Sequence, residues 1–176
     1  GQIVAIGEWV LRNACAAAAR WSPPLGLSVN ISAVQLYATS LPSLIADVLA
    51  ATGLAPDRLE LEITETALVR DTERALQVLR QIKAMGVRMA LDDFGTGYSS
   101  LSNLQIFPFD KIKIDRSFVH NVHRDEQAAI IVRAVLGLGR GLNLTVVAEG
   151  VETREELEFL AQEHCPEGQG YYFARP

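Results

Sequence analysis

The chain has 176 residues, 49% hydrophobic and 21% charged, which is the balance of a globular protein with enough apolar material for a core. Its formal net charge of −5 speaks against nonspecific binding to nucleic-acid polymers, which depends on a basic surface, so an anionic substrate would need a metal or a local lysine. No apolar run approaches the roughly 20 residues of a membrane span, and Gly-Gln-Ile-Val at the start lacks the basic flank of a signal peptide. Cys15 and Cys165 lie far apart without metal-like spacing, which points to reduced, buried thiols and a cytoplasmic setting. The start without Met is expected of a piece of a longer protein, whose remainder could carry a membrane anchor.

In chain order, Val4 to Arg20 predicts a helix with Ile6, Trp9, Val10 and Ala14 at core spacing, ended by Trp21-Ser22-Pro23-Pro24. Leu27 to Ile31 predicts a strand, Leu41 to Thr52 a helix closed by Gly53, and Leu59 to Thr64 a strand. Asp71 to Met85 predicts a helix with Leu76, Leu79, Ile82 and Met85 on its buried stripe, stopped by Gly86. Val87 to Leu91 then reads as a strand ending at about Asp92, and Ser99 to Leu104 as a short helix. Lys111 to Ile114 is a strand, Glu126 to Leu138 a helix and Leu144 to Ala148 a strand. Thr153 and Glu156 have capping-box spacing at the head of a helix running to about Glu163, and Gly168 to Phe173 supplies the last strand.

Strands alternating with helices predict an α/β fold with a parallel sheet, closed as a barrel or left open and doubly wound. The strand ends favour the barrel. Each carries a polar or ionisable residue: Asn30, Glu62, Asp92, Asp115, Glu149 and Gln169. A barrel gathers several strand ends around one mouth, whereas an open sheet gathers ligands at one switch point. Because side chains alternate with period two, Asn30, Glu62, Asp92, Lys113 and Glu149 fall on the less apolar faces of their strands, which in a barrel point inward.

Within that set, Asp92-Asp93 is followed at once by Phe94-Gly95-Thr96-Gly97-Tyr98. Adjacent carboxylates repel unless a proton or a cation sits with them. Alone, the pair reads equally well as the opening of a solvated turn, with glycine supplying positive φ. Several carboxylates and an amide oxygen together make an all-oxygen donor set suited to Mg²⁺ or Mn²⁺ rather than to zinc. Two such ions about 3.5 to 4 Å apart would activate water and stabilise in-line displacement at phosphorus, with Lys113 orienting the water or neutralising a phosphoryl oxygen. Taken singly, Lys113 could equally pair with Asp115 or Glu149, Glu60 and Glu65 could be salt-bridged rim residues, and Glu152 could serve the dipole of the helix it precedes.

These segments resemble the EAL domain, the phosphodiesterase that opens cyclic di-GMP to linear pGpG. The likeness is carried by Asn30-Ile31-Ser32, Glu62-Ile63-Thr64-Glu65, Asp92-Asp93-Phe94-Gly95-Thr96-Gly97-Tyr98-Ser99-Ser100, Lys111-Ile112-Lys113-Ile114-Asp115, Glu149-Gly150-Val151-Glu152-Thr153 and Gln169-Gly170-Tyr171. It runs from end to end, so residues 1–176 are expected to be the C-terminal three quarters or so of one such domain. The resemblance implies a TIM-like (β/α) barrel, here about six of eight strands. It implies two metal ions, Asn30, Glu62 and Asp92 holding one and Asp92, Asp93 and Glu149 the other. Lys113 resembles the residue holding the catalytic water, with Gln169 beside it. Asp115 and Glu152 match further substrate-side positions, and Glu65 matches the anchor of the Gly95-Thr96-Gly97 loop, which in the family couples the site to a homodimer interface. A covalently attached sensory or cyclase domain is expected in the parent protein. A degenerate member would bind cyclic di-GMP as a receptor without cleaving it. The Glu-Ala-Leu segment that names the family does not occur in the chain, and its glutamate is normally a ligand of the first metal, so the 176 residues alone are expected to be weakly active or inactive. His164-Cys165-Pro166 replaces the usual Gly-Cys-Asp before the last strand.

Overall fold

A computed structural model of the protein describes residues 2–38, 40–96 and 101–175. Six strands hydrogen-bond in chain order: β1 (Leu27–Ile31), β2 (Leu59–Thr64), β3 (Arg88–Phe94), β4 (Lys111–Ile114), β5 (Thr145–Ala148) and β6 (Glu167–Gly168). An order without reversal belongs to a barrel wall, whereas a doubly wound sheet reverses at its switch point. The helices are α1 (Gln2–Ala18), α2 (Ala33–Leu36), α3 (Leu41–Thr52), α4 (Glu65–Val69), α5 (Thr72–Lys83), α6 (Leu101–Ile106), α7 (Arg116–Val119), α8 (Glu126–Leu142) and α9 (Arg154–Gln162). No helix among the described residues is long and apolar enough to cross a membrane.

The chain divides into two compact units. The first comprises Gly1–Ala90 and Ser99–Phe109. In it β1 and β2 pair in parallel with Leu27 opposite Leu59 and Asn30 opposite Glu62. Leu59, Leu61 and Ile63 of β2 are fully buried with Ile45, Leu79 and Ile82 from the helices. Burying each such side chain favours folding by about 1.5–3 kcal/mol. Asp71 caps α5 by accepting a hydrogen bond from the Arg74 N–H, while Arg80 and Lys83 in its last turn complement the helix dipole. The Arg58 guanidinium donates to the Ala18 carbonyl at 2.7 Å and the Leu25 carbonyl at 2.8 Å, fastening the end of α1.

The second unit comprises Leu91–Tyr98 and Asp110–Pro176. Here β4 and β5 pair in parallel with Lys113 opposite Val147, and β5 continues onto β6 with Val147 opposite Glu167. The Glu149 N–H donates to the Ile114 carbonyl at 3.1 Å, carrying the ladder one residue past β5. Asp125 caps α8 through the Gln127 and Ala128 N–H groups, and Asn143 ends that helix in the left-handed conformation at φ 57°.

Four expectations are corrected. The buried stripe of α1 is Leu11, Cys15 and Ala18, whereas Ile6 and Trp9 are 54% and 65% exposed; this helix is apolar on both sides, so periodicity does not choose a face. β3 runs to Phe94, so Asp92 and Asp93 lie within the strand, because ladder bonds continue past the apolar run. The aromatic stretch after Gly168 is a turn in which the Tyr172 N–H donates to the Val151 carbonyl at 3.0 Å and the Phe173 N–H to the Gly170 carbonyl at 3.1 Å. Cys165 is only half-buried, although Cys15 is buried as expected; both thiols are free. The predicted short helix from Ser99 begins outside the described residues, and its described part, α6, runs to Ile106.

Candidate active site

Parallel pairing in register brings the polar faces of neighbouring strands into line, and in the second unit this gathers the charged strand ends. Lys113 on β4 points its ammonium at Asp92 Oδ1, 3.2 Å away, and at Glu149 Oε1, 2.5 Å away. Its side chain is 6% exposed, so it is held by these charges and not by solvent. Asp92, Asp93 and Glu149 each present a carboxylate oxygen within 4.8 Å of the others. The Gln169 amide donates to Glu149 Oε1 at 2.6 Å, and the Gln169 N–H donates to the Ala148 carbonyl at 2.9 Å, so side chain and backbone both tie Gln169 to the end of β5.

Asp93 occupies the left-handed region at φ 55°, a conformation tolerated best by Gly, Asn and Asp. Its N–H donates to Asp92 Oδ1 at 3.1 Å, and its carbonyl accepts from the Thr96 N–H at 3.2 Å and the Thr96 hydroxyl at 2.9 Å. Burial, then the charges of Asp92 and Asp115, push the Asp93 carboxyl above its ordinary pKa, with Lys113 pulling the other way. Carboxylates crowded in this way favour a bound cation, and the donors present are all oxygen, which fits a hard divalent ion. The ammonium already lodged between Asp92 and Glu149 demonstrates that the cluster accepts positive charge.

Asp115 caps α7, accepting from the Ser117 N–H at 2.9 Å and the Ser117 hydroxyl at 2.5 Å. Glu152 pairs with Arg116 at 2.9 Å. Arg116, Glu149, Gly150, Glu152, Gln169 and Tyr171 line a cleft of about 540 Å³. Gly150, at φ 68°, lies so close to the Arg116 stem that any Cβ would collide with it. Gly95, at φ 98°, leaves room for the Phe118 ring, which a Cβ would meet at 2.9 Å.

In the first unit, Asn30 and Glu62 stand opposite each other on β1 and β2, so their side chains share a face; Asn30 is exposed and Glu62 buried. Glu65, also buried, opens α4. Gly97 lies outside the described residues. Thus Asp92, Asp93, Lys113, Glu149 and Gln169 meet in the second unit. Lys113 pairs with Asp92 and Glu149 together, a bridge that neither single-partner reading of the sequence contained. Sequence reasoning missed Arg116, which follows a strand end and resembles any surface arginine, and it read Glu156 as a helix cap alone.

The EAL domain family model matches residues 1–176. A Caulobacter vibrioides protein named "Uncharacterized signaling protein" is 62% identical over all of this chain, which spans 22% of it. The bifunctional diguanylate cyclase/cyclic di-GMP phosphodiesterase MucR of Pseudomonas aeruginosa is 43% identical over all of this chain, which spans 26% of it. The chain thus spans about a quarter of the length of these curated relatives. The solved MucR phosphodiesterase in complex with c-di-GMP matches with a TM-score of 0.95 at 43% identity, covering 100% of this chain and 73% of that one. Klebsiella pneumoniae BlrP1, solved with manganese and cyclic di-GMP, matches with a TM-score of 0.91 at 34% identity, covering 98% of this chain and 45% of that one. With its matching α/β fold and its acidic strand ends, the chain belongs to the EAL domain family.

Proposed function

We propose that residues 1–176 form the catalytic part of a cyclic di-GMP phosphodiesterase, a module of a longer cytoplasmic signalling protein that hydrolyses the dinucleotide to linear pGpG with Mg²⁺ or Mn²⁺. The observation that carries this reading is the cluster of Asp92, Asp93 and Glu149 oxygens with the Lys113 ammonium lodged in it. Divalent ions supply Lewis acidity toward a phosphoryl oxygen and a water of lowered pKa. Asp92, Asp93 and Glu149 would hold such ions.

A product bearing a 5′-phosphate requires that the oxygen of water bonds to phosphorus while the P–O3′ bond breaks and the leaving oxygen takes a proton. Lys113, buried and in contact with Asp92 and Glu149, orients the attacking water and offsets negative charge growing on phosphorus. Gln169 fixes Glu149 through its 2.6 Å bond. Asp115 sets the start of α7, and with it Arg116, which holds Glu152 at the cleft. Gly95 and Thr96 shape the turn after Asp93, which ties occupancy of the site to homodimer contact, and a sensory or cyclase domain elsewhere in the parent protein supplies the input.

The test is turnover of cyclic di-GMP by the full-length parent, with binding followed in parallel by calorimetry. Cleavage to pGpG that needs Mg²⁺ or Mn²⁺ and is lost in Glu149→Ala and Lys113→Ala is the expected result. Undiminished cleavage in chelator would refute the metal role, and tight binding without turnover would make the chain a receptor.

A further inference from the structure

Glu156 is fully buried, yet the reaction proposed above leaves it without a part. A capping box asks two things of this residue: that its N–H take the Thr153 hydroxyl, here at 3.3 Å, and that its carboxylate take the Thr153 N–H, here at 3.0 Å. The side chain does more. Oε2 also accepts the Glu152 N–H at 2.8 Å, and Oε1 accepts the Asn121 N–H at 3.0 Å. Asn121 is 35 residues away in sequence, just beyond α7, and contributes nothing to the end of α9. Burial pushes the Glu156 carboxyl upward in pKa, but the N–H groups of Asn121, Glu152 and Thr153 and the Thr153 hydroxyl outweigh it and hold the group below its ordinary value. Glu156 therefore accepts from backbone donors of two different loops inside the fold, with the His120 ring nitrogen Nδ1 3.6 Å from Oε1.

The loop it grips runs from Glu149 to Thr153, and α7 is fastened to that loop at both ends. At its start, Arg116 pairs with Glu152 at 2.9 Å and lays its stem against Gly150; beyond its end, Glu156 holds Asn121. The opposite side of the loop is fixed by the Val151 N–H donating to the Gln169 carbonyl at 3.0 Å. We infer that Glu156 is a positioning residue for the proposed reaction: by joining the turn after α7 to the loop after β5, it holds Glu149 and Glu152 where a divalent ion and the phosphodiester require them. This inference rests on the phosphodiesterase reading for its chemistry and on the hydrogen bonds alone for its geometry.

The experiment compares Glu156→Gln, Glu156→Ala and Thr153→Ala in the full-length parent by cyclic di-GMP turnover, Mn²⁺ titration followed by electron paramagnetic resonance, and amide exchange at Asn121, Glu152 and Thr153. Glutamine keeps the size but offers one acceptor oxygen where two are used, so one loop is released. Expected for Glu156→Gln are a folded protein, a kcat lower by about tenfold and an Mn²⁺ half-saturation raised by about tenfold, the range seen when groups behind metal ligands are removed. Glu156→Ala should lose about a hundredfold in kcat, as a misplacement of about 1 Å can cause. Thr153→Ala, which removes the cap hydroxyl but keeps the backbone donors of Asn121, Glu152 and residue 153 on the Glu156 carboxylate, should stay within about twofold of wild type in both readouts, well short of the losses in the Glu156 variants. The inference is overturned if folded Glu156→Gln binds Mn²⁺ within twofold of wild type, or if Thr153→Ala loses as much as Glu156→Ala. Should Glu156→Ala fail to fold, Glu156→Gln decides. Should the wild-type parent cleave no cyclic di-GMP, the phosphodiesterase reading falls while the Mn²⁺ titration and amide exchange still decide the positioning role.

Discussion

Replacing Lys113 by methionine keeps the length of the side chain and removes its charge. The ammonium lies 3.2 Å from Asp92 Oδ1 and 2.5 Å from Glu149 Oε1, with a side-chain exposure of 6%. At an effective dielectric constant near 20, a unit charge pair at 3.2 Å attracts by about 5 kcal/mol before the cost of desolvation. Removing one partner of a buried pair typically costs about 3–5 kcal/mol, because the other charge stays buried without its counter-ion. Here two carboxylates lose that partner beside Asp93, whose carboxyl is already shifted upward by burial and by Asp92. At about 2–4 °C per kcal/mol for a chain of this size, the metal-free melting temperature of Lys113→Met should fall by at least about 6 °C. Millimolar Mg²⁺ or Mn²⁺ should restore most of that loss, because a divalent ion on the same oxygens replaces the missing charge. Turnover should fall by about 10² to 10³ even at saturating metal, since on the mechanism proposed above the lost ammonium would also act on the transition state. Melting by circular dichroism with and without metal, and cyclic di-GMP hydrolysis in the parent protein, measure these effects. A metal-free melting temperature within 2 °C of wild type, or turnover within threefold, would refute the assignment of Lys113 as the cluster's counter-charge.

Gly95→Ala should destabilise the protein by about 1–3 kcal/mol, because φ 98° is unfavourable for a residue with a Cβ and the new methyl meets the Phe118 ring; a urea melt measures this, and an unchanged midpoint would contradict it. The Glu156 carboxyl has a folded pKa below its unfolded one, so the stability it contributes is complete above the ordinary glutamate value of about 4.3 and is lost as pH falls through the folded value. The difference in urea midpoint between wild type and Glu156→Gln should therefore shrink as pH falls below the ordinary glutamate value of about 4.3, and a constant difference would contradict the assignment. Burial pushes both thiols upward in pKa, so Cys15, which is buried, should react with Ellman's reagent only on unfolding, whereas half-buried Cys165 should react slowly in the native state. Equal, rapid modification of both in the native protein would overturn that order.

The order of strands and helices was legible because each strand is a short apolar run set off by polar or glycine-bearing segments, and α5, α8 and α9 each carry a side-chain cap. The acidic cluster was legible for a related reason: period-two alternation places Asp92, Lys113 and Glu149 on matching faces, and parallel pairing in register keeps those faces together. The buried face of α1 was not legible, since Ile3, Ile6 and Val10 on one side and Leu11, Cys15 and Ala18 on the other are equally apolar, and the choice is made by packing against α3, α2 and β1. The last strand was misread for a similar reason: the run Tyr171-Tyr172-Phe173 has strand composition but folds back onto Val151. Arg116 and Glu156 escaped because their partners, Glu152 and Asn121, are fixed by tertiary geometry that no local pattern announces.

The Lys113 bridge also bears on how the protein behaves as cellular metal varies. A cluster of carboxylates without internal positive charge would be self-repelling, and folding would then depend on capturing an ion. Because Lys113 already spans Asp92 and Glu149, the fold carries its own counter-charge, so these like charges can come together without waiting for an ion. On the phosphodiesterase reading proposed above, metal availability would then act on an already folded population, which a bound ion would stabilise further.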